Sequence, residues 1–233
     1  MGRPTNPLLS RDAIAATALD ISAEDGPDAL TMRAIAARMG VRGPSLYNHV
    51  SSKDDLLDAM TALISKELDN SALASADWRA GIAAYARSYR RVFLRHHGIL
   101  PIVARRPVQT AEALGGYDAI SAALLRHGLP PAEAAETAAA IDYLVLGSVL
   151  ETYTAGFIRA PHEYRPEYPA LAETLEAADA VPATGATPAA GAVRVIGAAP
   201  AAPAGLAGLD ERGFERGLAL LLDGLGVRLE QRP

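Results

Sequence analysis

Apolar residues recur at helical spacing along most of the chain, and each run is bounded by a residue suited to starting or stopping a helix. Ile14, Ala15, Ala18, Leu19 and Ile21 supply core positions on a first helix. Ser10 is placed to cap it, and Leu9 and Ile14 are spaced as a hydrophobic staple. Glu24-Asp25-Gly26-Pro27 ends it. Thr31 caps a second helix with Ile35, Ala36 and Met39 inward, and Gly40 closes it, since glycine takes the positive φ common at helix ends. Pro44 opens a very short third helix, over residues 44–50. A fourth starts near Ser51 or Ser52 and runs to about Asn70. Further helices are expected over Asp77–His97, Leu100–Arg106, Gln109–His127, from Pro131 to about Ile158, over Pro169–Ala180 and over Asp210–Leu225. Runs of β-branched residues are scarce and alanine dominates, so the expected fold class is all-α.

Residues 180–209 break the pattern. Ala, Gly and Pro fill 21 of these 30 positions. Such a stretch has too little side chain to bury against the entropy of ordering it, which predicts a mobile surface loop. The chain of 233 residues is long enough for a large core, and no internal repeat is visible. It has no cysteine, which removes disulfides and thiolate metal sites. No apolar run is long enough for a membrane span, and MGRPTNPLLSRD lacks the apolar core of a signal peptide, so a cytoplasmic location without membrane partner is expected. The net charge of −5 argues against nucleic acid until its distribution is considered. Residues 1–53 hold six Lys or Arg against five acids, and the rest of the chain carries the acidic excess.

The short third helix explains that distribution. On a helical wheel Leu46 and Val50 fall on one side, and Ser45, Asn48 and His49 fall on the other, flanked by Pro44 and Tyr47. So short and polar a helix needs a partner for its apolar side. The preceding helix supplies one, with Ala36 small enough for close approach and Gly40 allowing the tight turn. This is the helix-turn-helix arrangement, with residues 44–50 as its reading element. Asn48 can pair with adenine, Ser45 with a base or phosphate, and the Pro44 ring can meet a thymine methyl. Tyr47, His49 and Lys53 suit phosphates, while Arg33 and Arg42 suit base or backbone. The competing reading is a short polar connector of the kind many helical proteins contain.

With these residues in view, LTMRAIAARMGVRGPSLYNHVSSKDDLLDAM resembles the signature of the TetR family along its whole length. GPSLYNHVSSKDDLLDA is similar to the tetracycline-repressor branch in particular, although Gly43 stands where that branch often has a longer polar side chain. The resemblance implies a three-helix DNA-binding domain over 1–53 and a helical ligand-binding and dimerisation domain over 54–233. It implies a homodimer that binds a palindromic operator on double-stranded DNA, releases it for a small-molecule effector, and usually represses. The DNA contacts carried over by the motif are Arg33, Arg42, Pro44, Ser45, Tyr47, Asn48, His49 and Lys53.

The resemblance continues through DWRAGIAAYARSYRRVFLRH and through residues 127–157, most clearly at Leu146–Glu151. In the last helix Phe214, Leu218, Leu221, Leu222 and Leu225 form an apolar face, with Gly213 and Gly217 beside it. Alone this reads equally as core; the resemblance implies a four-helix contact made with the 131–158 helix and their symmetry mates. It also places Tyr85 and Tyr89 at drug-contacting positions. Ile102, Tyr143, Leu146, Val149 and Glu151 would complete a mostly apolar site for an aromatic or polyketide-like effector, with Asp142 another polar candidate. The alternative is that Tyr85 and Tyr89 are core residues with satisfied hydroxyls. The branch's metal-binding histidine falls on Ile102, its neighbouring threonine on Arg105 and its drug-binding histidine near Asp69. His96 and His97, adjacent on a helix, diverge by about 100° and do not chelate. No metal and no cofactor are therefore expected. A Gly-rich phosphate loop and a nucleophile–base pair are both missing from the sequence, so a non-enzyme is expected. The alternative function is a helical small-molecule-binding protein or enzyme without operator binding.

Overall fold

The computed structural model describes residues 9–152, 157, 159–181 and 208–231, and these are helical with no strand. Ten α-helices run in order: α1 Arg11–Asp25, α2 Met32–Met39, α3 Gly43–Leu46, α4 Lys53–Lys66, α5 Trp78–Arg95, α6 Leu100–Val103, α7 Ala111–Arg126, α8 Pro131–Thr152, α9 Pro169–Asp179 and α10 Leu209–Glu230. Short 3-10 turns join several of them. The chain divides into two compact units, Met1–Ala138 and Ala139–Pro233.

Helix starts follow local chemistry. The hydroxyls of Ser10, Thr31, Ser52 and Thr110 and the carboxylate of Asp77 each accept from a backbone N–H three residues on. Gly40 ends α2 in the left-handed region at φ +67°, and the Val41 N–H returns to the Ala36 carbonyl at 3.0 Å.

The first unit is built around one apolar cluster. Ile14, Ala15, Ala18, Leu19 and Ile21 of α1 meet Ile35 and Ala36 of α2, Leu46 and Val50 around α3, and Leu56, Leu57, Met60 and Ile64 of α4. Val92 of α5 and Ile99 belong to the same cluster, and Phe93, Ile102 and Val103 pack on its edge. The three N-terminal helices thus share their core with α5 and α6. The approach is close at Gly98, where an added Cβ would lie 2.5 Å from the Ser22 carbonyl oxygen of α1.

In the second unit Tyr164, Ala172 and Leu175 form a small cluster under Leu209. Phe214, Leu218, Leu222 and Leu225 are the buried side of α10. Gly217 lets Leu144 of α8 within 2.8 Å of where its Cβ would stand, whereas Gly213 faces open space.

Several element bounds differ from expectation. The third helix is one turn, Gly43–Leu46, and residues 47–49 continue as turn, because the His49 N–H bonds the Leu46 carbonyl three residues back. The fourth ends at Lys66 rather than Asn70. There the Glu67 and Leu68 N–H groups bond the Ile64 and Ser65 carbonyls three residues back, and further on the Asp69 carboxylate accepts from the Ser71 N–H at 2.9 Å. The last helix runs on to Glu230, since Gly224 sits on its exposed side and Leu225 is buried beneath it. The expected extension of α8 toward Ile158 falls on residues 153–156 and 158, outside the described residues, as do 182–207 of the Ala/Gly/Pro-rich stretch.

Candidate nucleic-acid interface and effector residues

Leu46 and Val50 are 0% exposed, which fixes the orientation of the short turn between them. Tyr47 on its outer side is 53% exposed, and Asn48, His49 and Pro44 are exposed beside it. Ser45 is half-buried, its N–H bonded to the Arg42 carbonyl at 2.9 Å. Arg42 caps α3 in extended conformation with an exposed side chain. Arg33, in the first turn of α2, and Lys53, the first residue of α4, are exposed as well. Donors and cations thus line the solvent side of a turn held by two fully buried aliphatics.

The start of α4 is fixed by a set of ion pairs. The Asp55 carboxylate accepts from the Ser51 N–H at 2.8 Å, the Ser51 hydroxyl at 3.0 Å and Arg11 of α1 at 2.6 Å. The Ser51 backbone N–H, and then Arg11, hold its carboxyl below the usual aspartate range. Arg106 bonds Asp54 and Asp58, and Gln109 bonds Asp58 as well. At the far end of α4, Glu67 pairs with Arg95 and with His96 at 2.8 Å. Partial burial acts to raise the Glu67 carboxyl, and the bonds from His96 and Arg95 outweigh it. Sequence reasoning missed Arg11, Asp54, Asp55, Asp58 and Arg106. The available signal was the acidic spacing of α4, with carboxylates one turn apart at 54 and 58 and distant arginines to pair them.

The candidate effector residues lie in both units. In the first, Tyr85 and Tyr89 are 5% and 9% exposed, with ring centroids 5.9 Å apart. Tyr89 meets Phe93 edge-on at 5.0 Å. Ile102 is half-buried against the cluster that holds the N-terminal helices. In the second, Val149 is fully buried, Leu146 half-buried and Glu151 exposed. Tyr143 is 73% exposed. Among the described residues, no group of three or more His, Asp or Glu could hold a metal ion. His97, next to His96, bonds the Leu94 carbonyl, and burial lowers its pKa. No helix of the described residues is long and apolar enough to cross a membrane.

A turn backed by two buried aliphatics, between a capped α2 and an ion-paired α4, is the helix-turn-helix arrangement. Residues 14–60 match the model of the bacterial regulatory proteins of the tetR family, and residues 71–229 match the tetracyclin repressor-like C-terminal domain. The chain belongs to the TetR family. It is 30% identical over 227 residues to the class A tetracycline repressor of transposon 1721 from Escherichia coli, covering 94% of this chain and 92% of that one. It is 34% identical over 145 residues to an HTH-type transcriptional regulator of Saccharopolyspora erythraea, covering 62% of this chain and 61% of that one. A third relative, the transcriptional repressor DrrR1 of Streptomyces coeruleorubidus, is 31% identical; the matched region spans 54% of its length and 63% of this chain. The chain thus spans 61% and 54% of the lengths of those last two relatives. Among solved structures, a possible TetR family regulator from Streptomyces coelicolor A3(2) superposes with a TM-score of 0.73 at 26% identity, covering 94% of this chain and 99% of that one. ActR of Streptomyces coelicolor in complex with actinorhodin shares the fold, with a TM-score of 0.65 at 24% identity, covering 94% and 98% of the two chains.

Proposed function

We propose that this chain is a ligand-responsive transcriptional repressor that binds a palindromic operator as a homodimer. The observation that carries the reading is the turn at 44–49, whose polar side is exposed while Leu46 and Val50 are fully buried. Asn48, Ser45 and Pro44 read base edges, Tyr47, His49 and Lys53 hold phosphates, and Arg33 and Arg42 serve either. Residues 1–53 carry the reading head. An effector shifts the population toward a state in which the two heads no longer match successive major grooves.

The second unit supports the dimer. Tyr143, Gly147 and Leu150 of α8 are exposed at intervals of four and three residues, and Leu220, Gly224 and Val227 of α10 repeat that spacing. An apolar helix face of this kind suits a second copy. Leu220→Glu leaves the buried side of α10 intact and is expected to yield monomers in sedimentation velocity.

For the effector we propose an aromatic polyketide-like molecule contacting Tyr85 and Tyr89. The support is the buried tyrosine pair and the fold shared with ActR, which binds actinorhodin. Tyr89→Ala protein that folds and binds operator is expected to lose release by the effector; unchanged release sinks the assignment.

The experiment for the main reading is a fluorescence anisotropy titration against the DNA immediately upstream of this protein's own gene, with scrambled competitor at physiological salt. Competitor-resistant binding with a steep salt slope is expected. Binding without preference, there and in an unbiased operator selection, refutes the repressor reading.

A further inference from the structure

Glycine inside a helix costs stability, so each one calls for a reason. Gly40 needs its left-handed φ of +67°, and a Cβ on Gly81 or Gly98 would stand 2.6 Å or 2.5 Å from a backbone oxygen. Gly43 of α3 has neither reason. Its φ is not positive, and a Cβ there would meet nothing within 4 Å. The proline that follows crowds the Cβ of any larger residue alike.

The space left at Gly43 belongs to the surface that reads DNA. Arg42 before it and Pro44 after it are exposed. Tyr47 stands one turn further on the same side and is 53% exposed. A helical side chain leans over the turn that precedes it, yet no side-chain atom of Tyr47 comes within 4 Å of the Cβ position at 43. Long polar side chains at 42, 47, 48 and 49 thus flank a stretch, Gly43-Pro44, that carries none. The floor of this gap is a bare Cα and a proline ring. A hydrogen-bonding base edge finds no side-chain partner there, whereas an apolar group fits. The apolar group that bases present in the major groove is the 5-methyl of thymine.

We propose that Gly43 is a specificity-determining position of the reading turn: the space above its Cα, continued by the Pro44 ring and bordered by Tyr47, receives the 5-methyl group of one thymine in each half-site. The assignment rests on the operator-reading function proposed above and names a base that the turn selects by shape. A longer side chain at 43 fills the space and removes that preference.

The test deletes the methyl and then the space. The probe is the duplex that the full chain enriches from a random pool, titrated by fluorescence anisotropy. Each thymine in turn, together with its symmetry mate, is replaced by deoxyuridine, which lacks the methyl and keeps the pairing edge. One buried methyl is worth about fourfold in affinity, so replacement in both half-sites should cost roughly 15-fold at the thymine facing residue 43. In the Gly43→Gln chain the loss at that thymine should fall to about twofold or less, with the other thymines behaving as in wild type. Gly43→Ala, whose added methyl fills part of the space, should be intermediate. Cytosine at the same position should bind weakly to wild type, and 5-methylcytosine should recover part of the affinity. Urea midpoints of both variants should stay close to wild type, since a side chain at 43 meets nothing in the fold.

A wild-type chain indifferent to every deoxyuridine replacement overturns the assignment. So does a Gly43→Gln chain with the wild-type profile, which would place any methyl contact on Pro44 alone. Either result leaves operator reading standing. A pool that yields no enriched duplex instead defeats the repressor reading, and the assignment falls with it.

Discussion

Gly98→Ala tests how tightly α1 is seated on the turn that precedes α6. A Cβ at position 98 would stand 2.5 Å from the Ser22 carbonyl oxygen and 3.2 Å from both its carbonyl carbon and its hydroxyl oxygen. Real Cβ atoms essentially never come within 3.0 Å of another heavy atom, so something must retreat by roughly half an ångström. The obstructing oxygen belongs to the backbone of α1, so no side-chain rotation relieves it. Ser22 and its neighbours Ile21 and Ala18 are buried, and the cluster around them includes Ile99 and Val92. Overpacking of such a site costs about 1–3 kcal/mol. In a chain of this size that lowers the melting midpoint by roughly 2–12 °C. The assay is thermal and urea unfolding of wild type and variant, followed by far-ultraviolet circular dichroism. Gly115→Ala is the matched control. It lies inside α7 with open space around its Cβ, so the same methyl should stabilise by about 0.5–1 kcal/mol. A Gly98→Ala chain within about 0.5 kcal/mol of wild type would refute the claim that α1 and this turn are in rigid contact.

Leu46→Ala removes a side chain with no exposure and should cost about 2–5 kcal/mol, read by urea unfolding, with operator binding falling in step. Lys53→Gln should weaken binding to all DNA sequences alike and reduce the salt slope by about one, read by anisotropy across salt concentrations. Asn48→Ala should instead relax base preference, by about 1–3 kcal/mol at one position per half-site, in a competition series of single-base operator variants. Asp55 supplies a pH test. Its carboxyl titrates below the ordinary aspartate range in the folded chain, so the unfolded chain takes up its proton first as pH falls. Its contribution is present in full above about pH 5 and is lost as the pH falls through and below about 4. The stability gap between wild type and Asp55→Asn should accordingly shrink between pH 5 and pH 3; a constant gap would contradict the assigned pairing.

Helix starts were legible because capping is local: Ser10, Thr31 and Ser52 each bond an N–H three residues ahead. The inward set of α1 was legible for the same reason, being written in one 15-residue pattern. Helix ends were less so. α4 ends at Lys66, where the Glu67 and Leu68 N–H groups turn back to carbonyls three residues behind, a tightening that helical periodicity does not register. In the reading turn, the burial of Leu46 and Val50 followed from the wheel, which leaves Tyr47, Asn48 and His49 outside. The ion pairs that hold α4 were not legible. Arg106 and Asp54 are 52 residues apart, Arg11 and Asp55 are 44, and nothing in either neighbourhood names its partner. The exposure of Tyr143 was hidden similarly, because the 131–158 run is apolar on nearly all sides and periodicity cannot choose among them.

The apolar cluster of the first unit bears on how new specificities could be made. Val92 and Ile99 sit inside the same cluster as Ile14, Ile35 and Leu46, with Phe93, Ile102 and Val103 along its rim. A reading head cut out at residue 53 and grafted onto a foreign body would carry half of a core and meet the wrong half. Such chimeras should fold poorly unless the receiving body supplies matching side chains at those five positions and at Leu56, Leu57, Met60 and Ile64 of α4, which belong to the same cluster. Retargeting by exchange of residues 42, 44, 45, 47, 48 and 49 alone, none of them in the cluster, leaves that shared interior intact.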